Sequence, residues 1–242
     1  MIKGIYSAAS GMIPRMLKQE SIANNLANVN TPGYKRESVF LRQLSGAQIR
    51  ASQTESEWQT PMVDKIYTDF SEGSLEYTGE PLNFAIDGSG FFAVETPQGE
   101  AFTRSGDFHL DPNGVLVTSD GLPVLSSAGQ IAPGQGELSI SVDGTIRIDG
   151  DEFGKLRLVD FEKPYQLEKM AAGIYRPLPD ANQTDLEFTY VRQGYLEKSN
   201  VDIVREMVDM IDSYRNYESD QKAIQILDST VDKAVNQVGR VR

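Results

Sequence analysis

The sequence contains no cysteine and only one histidine among its 242 residues. Disulfide bonds and thiol chemistry are therefore excluded, and so are Cys-His pairs and clusters of histidine metal ligands. A Ser-His-Asp triad would have to use His109, which lies in the segment DFHLD, an alternating pattern typical of a half-exposed strand. Long apolar runs are missing as well, since no stretch approaches the roughly 18 consecutive apolar residues of a membrane-spanning helix.

Basic residues are in the minority, with 23 Lys and Arg against 35 Asp and Glu and a net charge of −12. Nucleic acids and anionic membrane surfaces attract basic proteins, so neither is expected as the main partner. The hydrophobic fraction of 39% is sufficient to build a core in a chain of this length. The composition therefore predicts a protein that is globular, at least in part.

Both ends of the chain carry apolar residues at alternating spacings of three and four, the pattern of a helix with one apolar seam. The C-terminal pattern is long enough to predict a helix that extends beyond a small domain. Pro14 predicts a kink or a break near residues 10–13, because proline removes a backbone hydrogen bond. The seam positions are Ile5, Ala9, Met12, Met16, Gln19, Ala23 and Leu26 in the first helix and Met207, Met210, Tyr214, Tyr217, Gln221, Ile224, Asp228, Val231, Val235 and Val238 in the second.

The centre of the chain, residues 72–190, consists of short apolar runs separated by glycine-containing turns, which predicts an antiparallel sandwich or barrel. Residues 82–86 and 91–95 flank the sequence DGSG and predict a β-hairpin. The same GSG lacks the third glycine and the helix of a dinucleotide-binding loop. The acidic turn around residues 149–152 lacks the spacing of a calcium loop. No cofactor or metal is expected.

These patterns together predict an α+β protein: long N- and C-terminal helices paired in a coiled-coil-like core domain, with a central all-β domain inserted between them. Ordering such helices costs more conformational entropy than their mutual burial offsets, so we expect both termini to be largely disordered in the isolated monomer and to order on assembly. The predicted domains are an N-terminal helical segment, 1–36, an extended linker, 37–71, a β-rich domain, 72–193, and a C-terminal helical segment, 194–242.

Four asparagines crowd the end of the first helix before Thr31, Pro32 and Gly33 stop it. Asparagine is a poor choice for a merely solvated helix face, but its amide both donates and accepts hydrogen bonds. The group therefore indicates contacts with other protein. An asparagine-rich helix cap followed by a turn would give the same pattern and is the alternative interpretation.

Three blocks of the sequence form extended motifs: GIYSAASGM with NNLANVNTPGYK at residues 4–12 and 24–35, EGSLEYTGEPLNFAIDGSGFF at 72–92, and GYLEKSNVD at 194–202. They resemble the signatures of the flagellar rod and hook protein family. The second and third blocks are more similar to the long rod proteins, proximal or distal, than to the short rod proteins or the larger hook protein. The resemblance does not distinguish the proximal from the distal rod.

The resemblance implies a structural subunit of the bacterial flagellar basal-body rod, not an enzyme, that polymerises through its terminal helices into a hollow, torque-transmitting shaft. It implies export by the flagellar type III apparatus to the cell envelope without a cleaved signal peptide. The implied partners are further copies of the chain, other rod proteins, the hook protein and possible surrounding ring proteins. The candidate assembly residues are Asn24, Asn25, Leu26, Asn28 and Asn30 near the first helix and Met207, Met210, Tyr214, Tyr217 and Ile224 in the last.

The alternative from the residues alone is a secreted β-rich module that binds cell-wall carbohydrate, or a glycoside hydrolase that uses two of the 35 carboxylates. No pair of carboxylates stands out in the sequence, and this alternative leaves the long terminal patterns unexplained.

Overall fold

The computed structural model describes residues 2–43, 61–134, 136–184 and 189–238. Within these ranges the chain forms two helices and nineteen strands, and it divides into two compact units. The helical unit contains the described residues 2–27, 36–43, 61–69 and 201–238. The β unit contains 28–35, 70–134, 136–184 and 189–200. No helix in the described ranges is long and apolar enough to cross a membrane.

The helical unit consists of two helices and one antiparallel pair of strands: α1, Ile2–Ala27; β1, Glu37–Gln43; β2, Pro61–Thr68; and α2, Ile203–Val238. Helix α1 continues through Pro14, so the expected break near residues 10–13 does not occur. Helix α2 begins directly after Asp202, whose Oδ1 accepts hydrogen bonds from the backbone N–H of Val204 and Arg205 at 2.9 and 3.1 Å. Asp202 is therefore the N-cap of α2. Most of the predicted linker, residues 44–60, lies outside the described residues.

The predicted coiled-coil-like core domain is wrong. Most elements of the described chain are strands, and the buried face of α2 is not the continuous apolar seam that a coiled coil requires. Glu206 and Ser213 are buried and Asp220 is half-buried, whereas the predicted seam residues Met207 and Tyr214 are exposed. Half of the predicted seam positions of α2 for which the structure describes burial are therefore exposed instead of buried.

The β unit contains seventeen strands: β3, Leu75–Tyr77; β4, Phe84–Asp87; β5, Phe91–Thr96; β6, Gly99–Thr103; β7, Phe108–Leu110; β8, Leu116–Thr118; β9, Leu125–Ser126; β10, Gly129–Gln130; β11, Leu138–Ile140; β12, Thr145–Ile148; β13, Asp151–Lys155; β14, Leu158–Phe161; β15, Leu167–Ala171; β16, Ile174–Pro177; β17, Gln183–Thr184; β18, Tyr190–Gln193; and β19, Tyr195–Glu197. The largest sheet is antiparallel, in the order β15-β16-β6-β5-β14-β17. A three-stranded sheet, β11-β12-β13, and several two-stranded pairs, among them β18-β4 and β19-β3, complete the unit.

The core of the β unit lies on both faces of strand β5. Side chains alternate between the faces of a strand, so Phe92 and Val94 enter one buried cluster while Phe91 and Ala93 enter the other. This explains why β5 reads as the uninterrupted apolar run FFAV rather than as an alternating strand.

The predicted hairpin across residues 87–90 is wrong. Strand β4 pairs with β18, and β5 pairs with β6 and β14, so the two strands flanking DGSG are not partners. The partner of β4 lies about a hundred residues further along the chain, beyond the range of a local pattern.

Candidate assembly surfaces

Helices α1 and α2 contact each other in an antiparallel arrangement inside the helical unit. Near the end of α1, the Asn25 side chain lies against Glu206, close to the start of α2. At the middle of α1, Arg15 forms an ion pair with Asp220 at 2.8 Å and donates a hydrogen bond to the Asn216 carbonyl. Polar contacts at both levels therefore fix how far one helix is shifted along the other.

A buried hydrogen-bond network surrounds Asn25, which is fully buried. Its Nδ2 donates to the Glu37 carbonyl at 2.7 Å and to Glu206 Oε2 at 3.2 Å, and its Oδ1 accepts from the Glu37 N–H at 2.9 Å. Arg36 Nε donates to Glu206 Oε1 at 2.5 Å, so the buried Glu206 carboxylate has a cationic partner. A buried carboxylate is tolerated only when it is paired. Because Glu206 on α2 is paired by Asn25 on α1 and by Arg36 directly before β1, the network holds these three elements together.

A row of buried and half-buried residues follows the inner face of α2 at alternating spacings of four and three, and Asp209 and Glu218 are half-buried beside it. The row consists of Glu206, Met210, Ser213, Tyr217, Asp220, Ile224, Leu227 and Val231. Four side chains of this inner face carry a carboxylate or hydroxyl group: Glu206, Ser213, Tyr217 and Asp220. A second stripe of apolar side chains lies on another side of α2, within its first turns, and we call it the α2 outer stripe. It is formed by Val204, Met207, Val208, Ile211 and Tyr214, which are between 49% and 71% exposed.

Helix α1 repeats this division between an inner and an outer face. Ser21, Ile22 and Asn25 are buried, whereas Ile13 and Met16 are more than half exposed. Both long helices therefore present large apolar side chains away from their own contact. Contiguous exposed apolar surface of this kind marks sites of protein–protein interaction.

The ten predicted assembly residues fall into three groups in the structure. Met207, Tyr214 and Asn24 are exposed on the helices, and Asn30 is exposed on the segment after α1. Leu26, Asn28, Met210, Tyr217 and Ile224 are half-buried, and Asn25 is buried. Their role in assembly stays a prediction, but the structure brings only Met207 and Tyr214 together on the α2 outer stripe.

The β unit contains a buried group of charges that we call the Glu197 cluster, formed by Lys35, Arg104 and Glu197. Lys35 Nζ lies 2.5 Å from Glu197 Oε1 and donates to the Ser71 carbonyl at 2.7 Å. Arg104 Nη1 lies 3.3 Å from Glu197 Oε2, and its Nη2 donates to the Gly88 carbonyl at 2.7 Å. All three side chains are at most 3% exposed.

Burial lowers the pKa of Lys35, although the attraction of Glu197 opposes that shift. The Glu197 carboxylate that pairs with Lys35 also accepts a hydrogen bond from the Gly73 N–H at 2.8 Å. Two carboxylate oxygens with three N–H donors satisfy Glu197 within the β unit.

The Glu197 cluster was not predicted from the sequence. Its signal lies in two of the three extended motifs, each of which places one charged residue beside a large apolar residue: Tyr34-Lys35 in the first and Leu196-Glu197 in the third. His109 is exposed on β7, opposite Val117 on β8, as expected for a strand residue at a surface.

A compact β unit joined to two long helices with exposed apolar faces points to the class of assembling structural proteins. Family models match three parts of the chain: "Flagella basal body rod protein" at residues 5–35, "Flagellar hook protein FlgE/F/G D1 domain" at 85–148, and "Flagellar basal body rod FlgEFG protein C-terminal" at 192–237. The chain belongs to the flagellar basal-body rod protein family, which confirms the resemblance read from the three motifs.

Curated relatives match the chain over almost its full length. The flagellar basal-body rod protein FlgG of Bacillus subtilis is 33% identical over 98% of this chain and 99% of the relative. The flagellar basal-body rod protein FlgF is 30% identical in Caulobacter vibrioides and 31% identical in Rhizobium meliloti, over 100% of both chains in each case. These relatives do not support the alternative of a carbohydrate-binding module or glycoside hydrolase.

Proposed function

We propose that the chain is a structural subunit of the flagellar basal-body rod that polymerises through the outer faces of its terminal helices into a hollow, torque-transmitting shaft. The observation that carries this proposal is the α2 outer stripe. Five large apolar side chains follow one side of α2 over three turns, and each is about half exposed or more. A solvated helix face would instead be filled with charged and polar residues.

The size of the stripe favours a polymer over a single contact. Half-exposed side chains of this kind gain about 1 kcal/mol each on burial, or on the order of 5 kcal/mol for the stripe. Loss of translational and rotational freedom on association costs roughly 4 to 15 kcal/mol. A single stripe contact is therefore marginal, whereas a subunit that contacts several neighbours at once is held firmly.

Family membership extends the proposal to location and partners. The basal body is the location that the relatives' names support. On the same ground we propose that the flagellar type III export apparatus delivers the chain. The partners that we propose are other rod proteins and the hook protein. Relatives named FlgG and FlgF both match over nearly the whole chain, and the proposal concerns the rod function common to both names.

Sedimentation and electron microscopy of the purified protein test this function. The wild-type chain, concentrated and seeded, is expected to form tubes or filaments of constant diameter. Ile211→Glu places a charge in the middle of the stripe and is expected to reduce the pelleted fraction at least about tenfold, because central interface residues dominate binding. The matched control is Val142→Glu in the β unit, where the side chain is 61% exposed.

The two variants separate assembly from folding. Val142→Glu should polymerise like the wild type, and Ile211→Glu should keep the circular dichroism spectrum of the monomer. A wild-type chain that stays monomeric at every concentration, or an Ile211→Glu chain that polymerises normally, contradicts the proposed function as stated.

A further inference from the structure

The Glu197 cluster differs from the other ion pairs of the β unit in its burial. The pairs Arg176–Glu168, Arg192–Asp87 and Lys198–Glu76 have side chains that are between 37% and 56% exposed, whereas those of Lys35 and Glu197 are at most 1% exposed. A buried ion pair is weak evidence of stability, because desolvation of the charges offsets their attraction. What such a cluster does supply is a unique position for the segments that carry its members.

The cluster joins two segments that lie far apart in the sequence. Lys35 ends the segment 28–35, and Glu197 ends β19. Besides the ion pair, the Gly33 N–H donates to the Glu197 carbonyl at 2.7 Å. A Cβ atom at Gly33, where φ is +68°, would lie 2.3 Å from the Arg104 carbonyl carbon, so only glycine fits this approach. Tyr34, between the two contacts, is fully buried.

The position of this junction along the chain gives it a consequence. Helix α1 ends at Ala27, six residues before Gly33, and α2 begins at Ile203, six residues after Glu197. The junction therefore fixes the last residues before one terminal helix and the first residues after the other side by side. Two segments tethered by such short connections have a high effective concentration for each other.

We propose that Lys35, Arg104 and Glu197 form a clamp that holds the segment following α1 beside the segment preceding α2. The clamp thereby sets the rate at which a subunit joins the polymer. This inference rests on the proposed function. The three residues are positioning residues, because they act on the helices through the segments that they hold.

The experiment compares two Glu→Gln replacements on neighbouring strands of the full chain. Glu197→Gln removes the buried charge, and Glu76→Gln on β3 removes the carboxylate of the exposed pair with Lys198 at 3.1 Å. Elongation is measured on sonicated wild-type seeds at equal concentrations of folded subunit, with the near-ultraviolet circular dichroism of the β unit as the folding control. Lys35→Met is the second variant, which breaks the same clamp from the other side.

Glu197→Gln and Lys35→Met are expected to elongate at least about tenfold more slowly than the wild type, because the clamp no longer holds the segments next to the two helices side by side. Amide exchange at Gly33 should become at least about tenfold faster in both variants, because local opening becomes easier. Glu76→Gln should stay within about twofold of the wild type in both measurements, because an exposed pair contributes little.

The outcomes distinguish the clamp from the proposed function. If the wild type elongates and both clamp variants elongate like Glu76→Gln, the clamp is wrong and the proposed function stands. If the wild type fails to polymerise, the proposed function is wrong, whatever the exchange at Gly33.

Discussion

The two units of this chain treat their apolar side chains in opposite ways. Among the described residues, twelve of the seventeen large apolar side chains that are exposed belong to the helical unit. In contrast, among the buried apolar residues whose burial the structure describes, Ile22 and Val201 are the only ones in the helical unit, and all the others belong to the β unit. The β unit therefore completes its own core, whereas the helical unit leaves apolar surface for a partner to cover.

Charge divides the chain along the same line. The segments 28–35 and 70–200, which include the β unit, carry 21 acidic and 10 basic residues, a net charge of −11. The rest of the chain carries 14 acidic and 13 basic residues, a net charge of −1. Like charges repel, so the acidic segments favour solubility, while the nearly neutral remainder allows copies to approach each other. The contrast suits a subunit that must be soluble before it polymerises.

Removing a core side chain from the β unit is the largest test of this contrast. Phe102 is buried, and its ring packs edge-on against Phe161 with 5.0 Å between the centroids. Phe102→Ala is expected to lower the free energy of unfolding of the β unit by about 3 to 5 kcal/mol, because it leaves a cavity. Denaturant unfolding followed by near-ultraviolet circular dichroism measures this change.

The matched control for that test is Phe153→Ala on β13, whose side chain is 37% exposed. A loss below about 1 kcal/mol is expected there, because a partly exposed ring fills less of the core. Equal losses for the two variants would contradict the view that the β unit is stabilised by its own closed core.

A smaller effect is expected inside the helical unit, where polar contacts replace a core. Asn25→Leu removes three hydrogen bonds of this buried side chain, two to the Glu37 backbone and one to the Glu206 carboxylate, while the Glu37 carbonyl keeps its bond from the Ser21 hydroxyl. We expect a loss of about 1 to 3 kcal/mol in the free energy of unfolding of the helices, because an apolar side chain cannot replace these hydrogen bonds. Thermal unfolding of the assembled protein, in which the terminal helices are expected to be ordered, measures it at 222 nm, with Asn24→Leu as the exposed neighbouring control.

The double variant Asn25→Leu with Asn28→Leu extends this test to function. It is expected to impair assembly and motility without unfolding the β unit, because neither asparagine belongs to the buried apolar clusters of that unit. Normal motility of cells that carry the double variant would count against a role of these asparagines in assembly.

The sequence pattern of α2 predicted the helix and half of its buried face. Met210, Tyr217 and Ile224 lie where the heptads placed them, whereas Glu206 and Ser213 occupy the positions expected for Met207 and Tyr214. Helix α2 carries two apolar stripes, and the sequence pattern predicted that the more apolar stripe would be buried. Which face of α2 is buried depends on Arg36 and Asn25, whose contacts with Glu206 cannot be predicted from the spacing of apolar residues.

The same limitation applies to the β unit and to the Glu197 cluster. Glycine turns and short apolar runs correctly predicted a strand-rich centre, but the partner of each strand depends on contacts between distant parts of the chain. Lys35 and Glu197 are 162 residues apart and belong to two different motifs. Each charge alone reads as a surface residue, because burial of a charge becomes favourable only when its partner is known.

The smallest expected effect is an alkaline transition confined to the β unit. Burial and, to a lesser extent, the Asp160 carboxylate raise the pKa of Tyr165 to about 12 from its usual 10.0. The Tyr165 hydroxyl donates to Asp160 Oδ1 at 3.0 Å, and its ring packs against Phe70 and Phe91. The folded state thus holds this proton more tightly than the unfolded state does.

The contribution of Tyr165 to stability is therefore complete below pH 10 and is lost as the pH rises from 10 to about 12. Thermal unfolding of the wild type and of Tyr165→Phe between pH 9 and 12 measures it: the difference between the two chains should depend on pH only above pH 10. Near-ultraviolet circular dichroism should report the change, because Tyr165 packs on the aromatic cluster of the β unit. A difference that is constant across this range would show that the Tyr165 proton is held equally in both states, and that the edge of this cluster is open to water.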